Sequence, residues 1–306
     1  TPLMRLQRFG FFFKISGSAH ENIRAAIFSL RSVILLPHLN SQLSTFSTPQ
    51  QSQPLNNLNP STISTTINPL NMNKTAVITG ATKGLGRALA EVFAARGFDL
   101  CVCARTEADL QIMQSEWSTQ FPDVQLHIFP ADLGKKSETQ EFAAFVKSTW
   151  PRVDVLINNA GIYIGGLVSE EREGTLETML ETNLYSAYHL TRALLSAMVP
   201  HKSGHIFNMC SIASFMAYPN GGSYSISKFA LLGFSKVLRE EMKPHGIKVT
   251  SIMPGAAWSD SWRGVELPEE RLMQAMDVAK AVWGCYDLSP AAVVEELILR
   301  PQLGDL

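Results

Sequence analysis

The sequence is short of charge and of cysteine, and it has no long apolar run. Lys, Arg, Asp and Glu make up 17% of 306 residues and nearly cancel, to a net charge of -1. No positive excess exists to hold a nucleic-acid backbone. The balance also hides an asymmetry. Residues 1–72 carry Arg5, Arg8, Lys14, Arg24 and Arg31 against Glu21, which leaves 21 basic and 26 acidic residues in the remainder. That acidic body argues further against nucleic acid as a partner. The four cysteines (Cys101, Cys103, Cys210, Cys285) contain no C-x-x-C pair. They spell out neither a metal knuckle nor a disulfide framework, and read as reduced core thiols. The apolar pieces before residue 38, "FGFFFKI" and "SVILLP", fall well short of the ~18 residues that span a membrane.

Residues 1–72 differ in kind from the rest. From about residue 38 they are rich in Ser, Thr, Asn, Gln and Pro, a composition that cannot bury enough apolar surface to fold. They read as a disordered or leader-like extension. The Arg-containing, Ser-rich, acid-poor start permits an organelle transit peptide. The expectation is instead that Met72 is the functional start and that the protein is cytoplasmic.

From Asn73 to residue 306 the chain alternates. Short apolar runs at 74–79, 98–104, 124–130, 153–159, 204–211, 247–254 and 292–300 are buried strands. Helical periodicity fills 84–97, 107–121, 135–150, 174–199, 223–243 and a stretch near 268–285. Seven strands in continuous apolar runs, alternating with helices, predict a single domain. It is an α/β, doubly wound, parallel sheet covered on both faces, a Rossmann fold.

Two motifs carry chemistry. "TGATKGLG" (Thr79 to Gly86) follows a strand and opens a helix. Glycines there allow a tight turn and let backbone approach a pyrophosphate, which the helix N-terminus attracts. The second strand ends in "CAR", with Arg105 where an NAD site would place an acid. Arg105 and Lys83 would instead pair with a 2′-phosphate, which selects NADP(H). The second motif is Tyr224-x-x-x-Lys228, one helical turn apart on one face. An ammonium beside a phenol favours its ionised form, and such a pair can pass a proton to or from a substrate oxygen.

With these residues assembled, the body, about 74–300, resembles the short-chain dehydrogenase/reductase family, of the single-domain Tyr-x-x-x-Lys type. Gly80-x-x-x-Gly84-x-Gly86 matches its cofactor turn, and Asp132 in "ADL" its adenine contact. "NNAG" (Asn158 to Gly161) matches a signature after the fourth strand. Asn183 in "ETN", Ser211 thirteen residues before Tyr224, and "PG" (Pro254, Gly255) complete the order. The resemblance implies a catalytic set of Asn183, Ser211, Tyr224 and Lys228. Tyr224 would be the general acid/base, and Lys228 would support it and hold the nicotinamide ribose. Ser211 would orient the substrate oxygen, and Asn183 would keep a water behind Lys228. It also implies cofactor contacts from Gly80, Thr82, Lys83, Gly84, Leu85, Gly86, Arg105, Asp132, Leu133, Asn159, Ala160, Gly161, Pro254, Gly255 and Ala257, besides Tyr224 and Lys228. Ser259 stands where the family often has Thr, and the loop 256–268 is short, with Trp258 and Trp262. Both features bear on substrate shape.

The implied activity is NADP(H)-dependent reduction of a small carbonyl compound, such as a ketone or 3-oxoacyl group, to a secondary alcohol. Two alternatives stay open: a non-catalytic NADP-binding regulator, and an epimerase using the same four residues. The remaining expectations are structural. No metal spacing exists, and His189, His201 and His205 read as surface or capped residues. Trp150 and Trp283 read as core or interface. Leu184, Leu190, Leu194 and Leu195 on one helix, with Phe229, Leu232 and Phe234 on another, point to a helix-to-helix interface. The assembly would be a homo-oligomer, a tetramer or dimer.

Overall fold

In a computed structural model, residues 73–258 and 266–305 are described. The expectations for residues 1–72, Ser259 and Trp262 lie outside them. The strands are β1 (Thr75–Thr79), β2 (Asp99–Ala104), β3 (Leu126–Pro130), β4 (Val155–Asn158), β5 (Gly204–Met209), β6 (Ile247–Pro254) and β7 (Glu296–Leu299). They form one parallel sheet in the order β3-β2-β1-β4-β5-β6-β7, the doubly wound arrangement that the apolar runs imply. The order reverses between β1 and β4, the place where such sheets open a crevice at the strands' carboxyl ends.

Side chains of a strand alternate between faces, and the core divides accordingly. Ala76, Ile78, Leu100 and Val102 pack on one face, beneath α1 (Gly84–Ala94), α2 (Glu107–Gln120) and α7 (Ala275–Tyr286). Val77, Cys101 and Cys103 pack on the other, beneath α3 (Lys136–Thr149), α5 (Ser186–Leu194) and α6 (Gly222–Met242). Burial pushes the Cys103 thiol up to about 12 and raises that of Cys101 as well. Trp150 is buried and Trp283 packs on the core edge beside Phe93 and Phe98, as expected.

Four expectations need correction. The helix expected over 174–199 is broken into α4 (Thr175–Leu180), one π-helical turn (Glu181–Tyr185) and α5. Asn183 lies in that turn and is almost fully buried. The last helix starts at Ala275, where the Asp277 side chain accepts the Gln274 N–H at 3.1 Å; Glu269–Arg271 upstream is a separate 3-10 turn. His205 is a core residue, stacked on Phe207 with centroids 3.9 Å apart and hydrogen-bonded to Thr250. Finally, Leu190, Leu194 and Leu232 face inward and are covered by the sheet. Of the residues expected there, Phe229 is exposed, and it is joined by Tyr185, Tyr188, Ile226 and Val237. Periodicity finds the apolar positions but not which neighbour covers them.

Candidate active site

β1 ends in Thr79, and the chain turns through Gly80 at φ +65°. Close approach forces the glycine at 86, because a Cβ there would lie 2.1 Å from the Gly80 carbonyl oxygen. Gly84, which opens α1, sits at φ +53°. Lys83 occupies the N-cap without a side-chain hydrogen bond to α1. No cap side chain therefore occupies the first-turn N–H groups, which can receive an anion at the sheet's switch point. Thr82 lies half-buried in the turn, and Leu85 anchors the helix start on the core.

Asn159 braces this turn from β4. Its Nδ2 donates to the Thr79 and Gly80 carbonyls at 2.8 and 3.1 Å. In return the Thr79 hydroxyl accepts the N–H groups of Asn159 and Ala160 at 2.9 and 2.8 Å. The sequence reading passes over Thr79. Its one signal is a hydroxyl residue ending a buried strand immediately before the glycine turn.

The remaining cofactor candidates lie past the carboxyl ends of neighbouring strands. Arg105 follows β2, is exposed, and makes no ion pair among the described residues. Lys83 is also exposed, but its Nζ lies 3.0 Å from an Asp109 carboxylate oxygen on α2. Asp132, after β3, accepts from the Gly134 N–H at 3.1 Å, and Leu133 is buried beside it. Pro254 ends β6. The Gly255 N–H donates to the Leu299 carbonyl at 2.7 Å, and Ala257 bridges to Met273. Trp258 is fixed by its ring N–H donating to the Glu269 carbonyl at 2.8 Å.

The catalytic candidates meet around α6. Lys228 is buried, and its Nζ donates to the Met209 carbonyl at the end of β5 at 2.8 Å. The same Nζ lies 5.7 Å from the centroid of the Tyr224 ring. Gly161 passes beside it: a Cβ there would stand 3.6 Å from Nζ and 3.1 Å from Asn183 Oδ1. Asn183 holds the β4 loop by a reciprocal pair, accepting from the Ile162 N–H at 2.7 Å and donating to its carbonyl at 3.0 Å. It also donates to Ser227 Oγ at 2.9 Å, and Ser227 donates to the Tyr224 carbonyl at 2.7 Å. The visible work of this side chain is to tie the chain after β4 to α6. Ser211, just past β5, is buried and accepts from the Ala213 N–H at 3.2 Å, which leaves its hydroxyl proton for a further acceptor. Tyr163 stands edge-on to Tyr224, centroids 4.9 Å apart. Burial, with Tyr163 and Tyr224 adding to it, pushes the nearby Tyr218 phenol up to about 12.

A doubly wound parallel sheet with a glycine turn at its switch point and a phenol–ammonium pair beside it defines a Rossmann-type oxidoreductase. The comparisons with known proteins sharpen that class. A family model described as short chain dehydrogenase matches residues 74–269, and the chain belongs to the short-chain dehydrogenase/reductase family. It is 31% identical over 243 residues to a sepiapterin reductase of Chlorobaculum tepidum, covering 77% of this chain and 99% of that one. Over 185 residues it is 39% identical to the Mus musculus dehydrogenase/reductase SDR family member 7B, covering 60% of this chain but only 57% of the mouse protein. Among solved structures, an alcohol dehydrogenase of Thermococcus sibiricus complexed with 5-hydroxy-NADP matches with TM-score 0.70 and 28% identity, over 76% of this chain and 97% of that one. A metagenomic short-chain oxidoreductase in complex with NADP matches with TM-score 0.65 and 27% identity, over 75% and 97%.

Proposed function

We propose that the chain reduces a small carbonyl compound to a secondary alcohol, with NADPH as its reductant. The observation that carries this is the placement of Lys228. Its ammonium is held by the Met209 carbonyl one helical turn from the Tyr224 phenol, beside the Gly161 backbone that follows β4. The residues present fit a dinucleotide. The turn of Gly80, Gly84 and Gly86 leaves room for backbone to approach a pyrophosphate, and Arg105 is at hand for a 2′-phosphate. The NADP-containing structural relatives support the same choice of cofactor.

When bound, the reduced nicotinamide supplies the hydride. The chain supplies the proton and the geometry. Tyr224 gives its hydroxyl proton to the substrate oxygen as the carbonyl carbon is reduced. Lys228 offsets the negative charge that this leaves on the phenolate. Ser211 donates its free hydroxyl proton to the same oxygen and orients it. Asn183, through Ile162 and Ser227, keeps the cofactor loop and the catalytic helix in register. The segments 162–168 and 215–222 that flank Tyr224 contain no charged residue, so the pocket wall they offer suits an apolar or aromatic substrate.

The reading includes self-association. Ile226, Phe229 and Val237 form an exposed stripe along α6, beside Tyr185 on the π turn and Tyr188 on α5. A second copy presenting the same stripe would cover it, as a dimer or within a tetramer.

Tyr224→Phe tests the chemistry, because it removes one hydroxyl and little volume. Turnover of a diketone with NADPH should fall on the order of 10²–10⁴-fold, with NADPH binding retained. A variant as fast as wild type would remove Tyr224 from the mechanism.

A further inference from the structure

Helix α6, which carries both Tyr224 and Lys228, has no cap of its own. Gly221 stands at its N-cap and offers no side chain. The missing acceptor comes from 52 residues away. Glu171, on the loop between β4 and α4, accepts the Ser223 N–H through Oε1 at 2.8 Å and the Ser223 hydroxyl through Oε2. Both carboxylate oxygens are thus spent on the residue immediately before Tyr224. A negative group at a helix N-terminus is also favoured by the helix dipole.

The sequence makes room for this contact. Gly222 sits at φ +31°, and a Cβ there would lie 2.1 Å from Glu171 Oε1 and 2.6 Å from the Gly166 carbonyl oxygen. No other residue type fits between loop and helix. A second stitch lies alongside, where the Gly166 N–H donates to the Asn220 carbonyl at 3.1 Å. The same loop carries Tyr163, whose ring stands against that of Tyr224. Loop, helix start and the two tyrosines are therefore one connected unit: Asn183 fastens it at Ile162 and Ser227, and Glu171 fastens it at Ser223, immediately before Tyr224.

We propose that Glu171 is a positioning residue, which clamps the β4–α4 loop to the first turn of α6 and so sets how Tyr163 packs against Tyr224, and with it the direction in which the Tyr224 hydroxyl meets the substrate carbonyl. The proposal rests on Tyr224 being the proton donor. Removing the clamp frees the helix start and the Tyr163 wall together. It acts on the productive placement of substrate and leaves alone the dinucleotide turn, which is built on β1 and α1. Charge is secondary to shape. A glutamine at 171 can still accept the Ser223 N–H through its carbonyl and donate to the Ser223 hydroxyl through its amide.

The test compares Glu171→Ala, Glu171→Gln and Tyr224→Phe in the full chain, with kcat, KM for a diketone and NADPH dissociation constant measured for each. Glu171→Ala should lower kcat by about tenfold to a hundredfold, the range that a misplacement near 1 Å produces, and raise KM. Its NADPH affinity should stay within about twofold of wild type. Glu171→Gln should recover most of the lost kcat. Wild-type kcat and KM in Glu171→Ala, or equal damage in Ala and Gln, overturns the clamp. Should Glu171→Ala fail to fold, Ser223→Ala removes the hydroxyl half of the contact at nearly constant volume. It should then show the same loss in kcat at smaller size, and no loss overturns the proposal. The underlying reading fails separately: if Tyr224→Phe turns over like wild type, Tyr224 is not the donor whatever the Glu171 variants do.

Discussion

The Thr79 hydroxyl accepts the Ala160 N–H at 2.8 Å, joining the end of β1 to the chain leaving β4 across the sheet's switch point. It also accepts from Asn159, so one oxygen satisfies two backbone donors at the floor of the cofactor crevice. Thr79→Val keeps the shape and removes the acceptor. Leaving such donors unpaired costs about 1–3 kcal/mol each. Urea unfolding should show a loss of that order, and NADP(H) affinity should fall with it. Unchanged stability and affinity would show that the hydroxyl is dispensable.

The two cations named for the 2′-phosphate are not equivalent. Lys83 shares its charge with Asp109 at 3.0 Å, whereas Arg105 has no ion-pair partner among the described residues. Arg105→Asp should therefore swing preference from NADP toward NAD by roughly tenfold to a hundredfold, the equivalent of losing one charge-assisted contact. Lys83→Ala should swing it less. Steady-state kinetics with both cofactors decides this, and a wild type that already prefers NAD would falsify the assignment.

Buried His205 makes stability depend on acidity. Its Nε2 lies 2.7 Å from Thr250 Oγ1, which itself donates to the Val294 carbonyl at 2.6 Å, so the ring nitrogen donates and carries the hydrogen. Burial first, and the Lys248 charge second, push the ring down to about 3. Below its ordinary value near ~6.5 the unfolded chain takes up the proton first. Stability from this group is therefore lost as pH falls from there toward 3, by at most about 1.4 kcal/mol per pH unit. His205→Gln, which cannot titrate, should show a shallower decline than wild type in denaturant unfolding at stepped pH. Parallel curves would refute it.

Self-association should depend on the exposed stripe of α6. Phe229 is 45% exposed and Val237 58%, which leaves costly apolar area in water unless a second copy covers it. Light scattering at micromolar concentration should give a multiple of the chain mass, and Phe229→Glu should reduce it. A monomeric wild type sinks the idea.

Much of this protein is written along the chain. Seven apolar runs of strand length, spaced by helical periodicity, required a parallel sheet covered on both faces, because only such strands are apolar on both sides. The glycine turn after β1 was legible because backbone geometry alone demands those glycines. Tyr224 and Lys228 were legible because one helical turn sets their common face. Tertiary structure decided the rest. No local signal says that Asn183 would sit in a π turn, since that turn forms where the side chain must reach both Ile162 and Ser227. None says that His205 is buried, because its cover includes Thr250 on the neighbouring strand β6 and Tyr286 on α7, or that Leu190 and Leu232 face inward while Phe229 does not. Thr79 bracing the chain after β4 and Glu171 capping α6 are contacts between segments remote in sequence. Periodicity reports which faces of an element are apolar; which partner meets each face is fixed only when the elements pack.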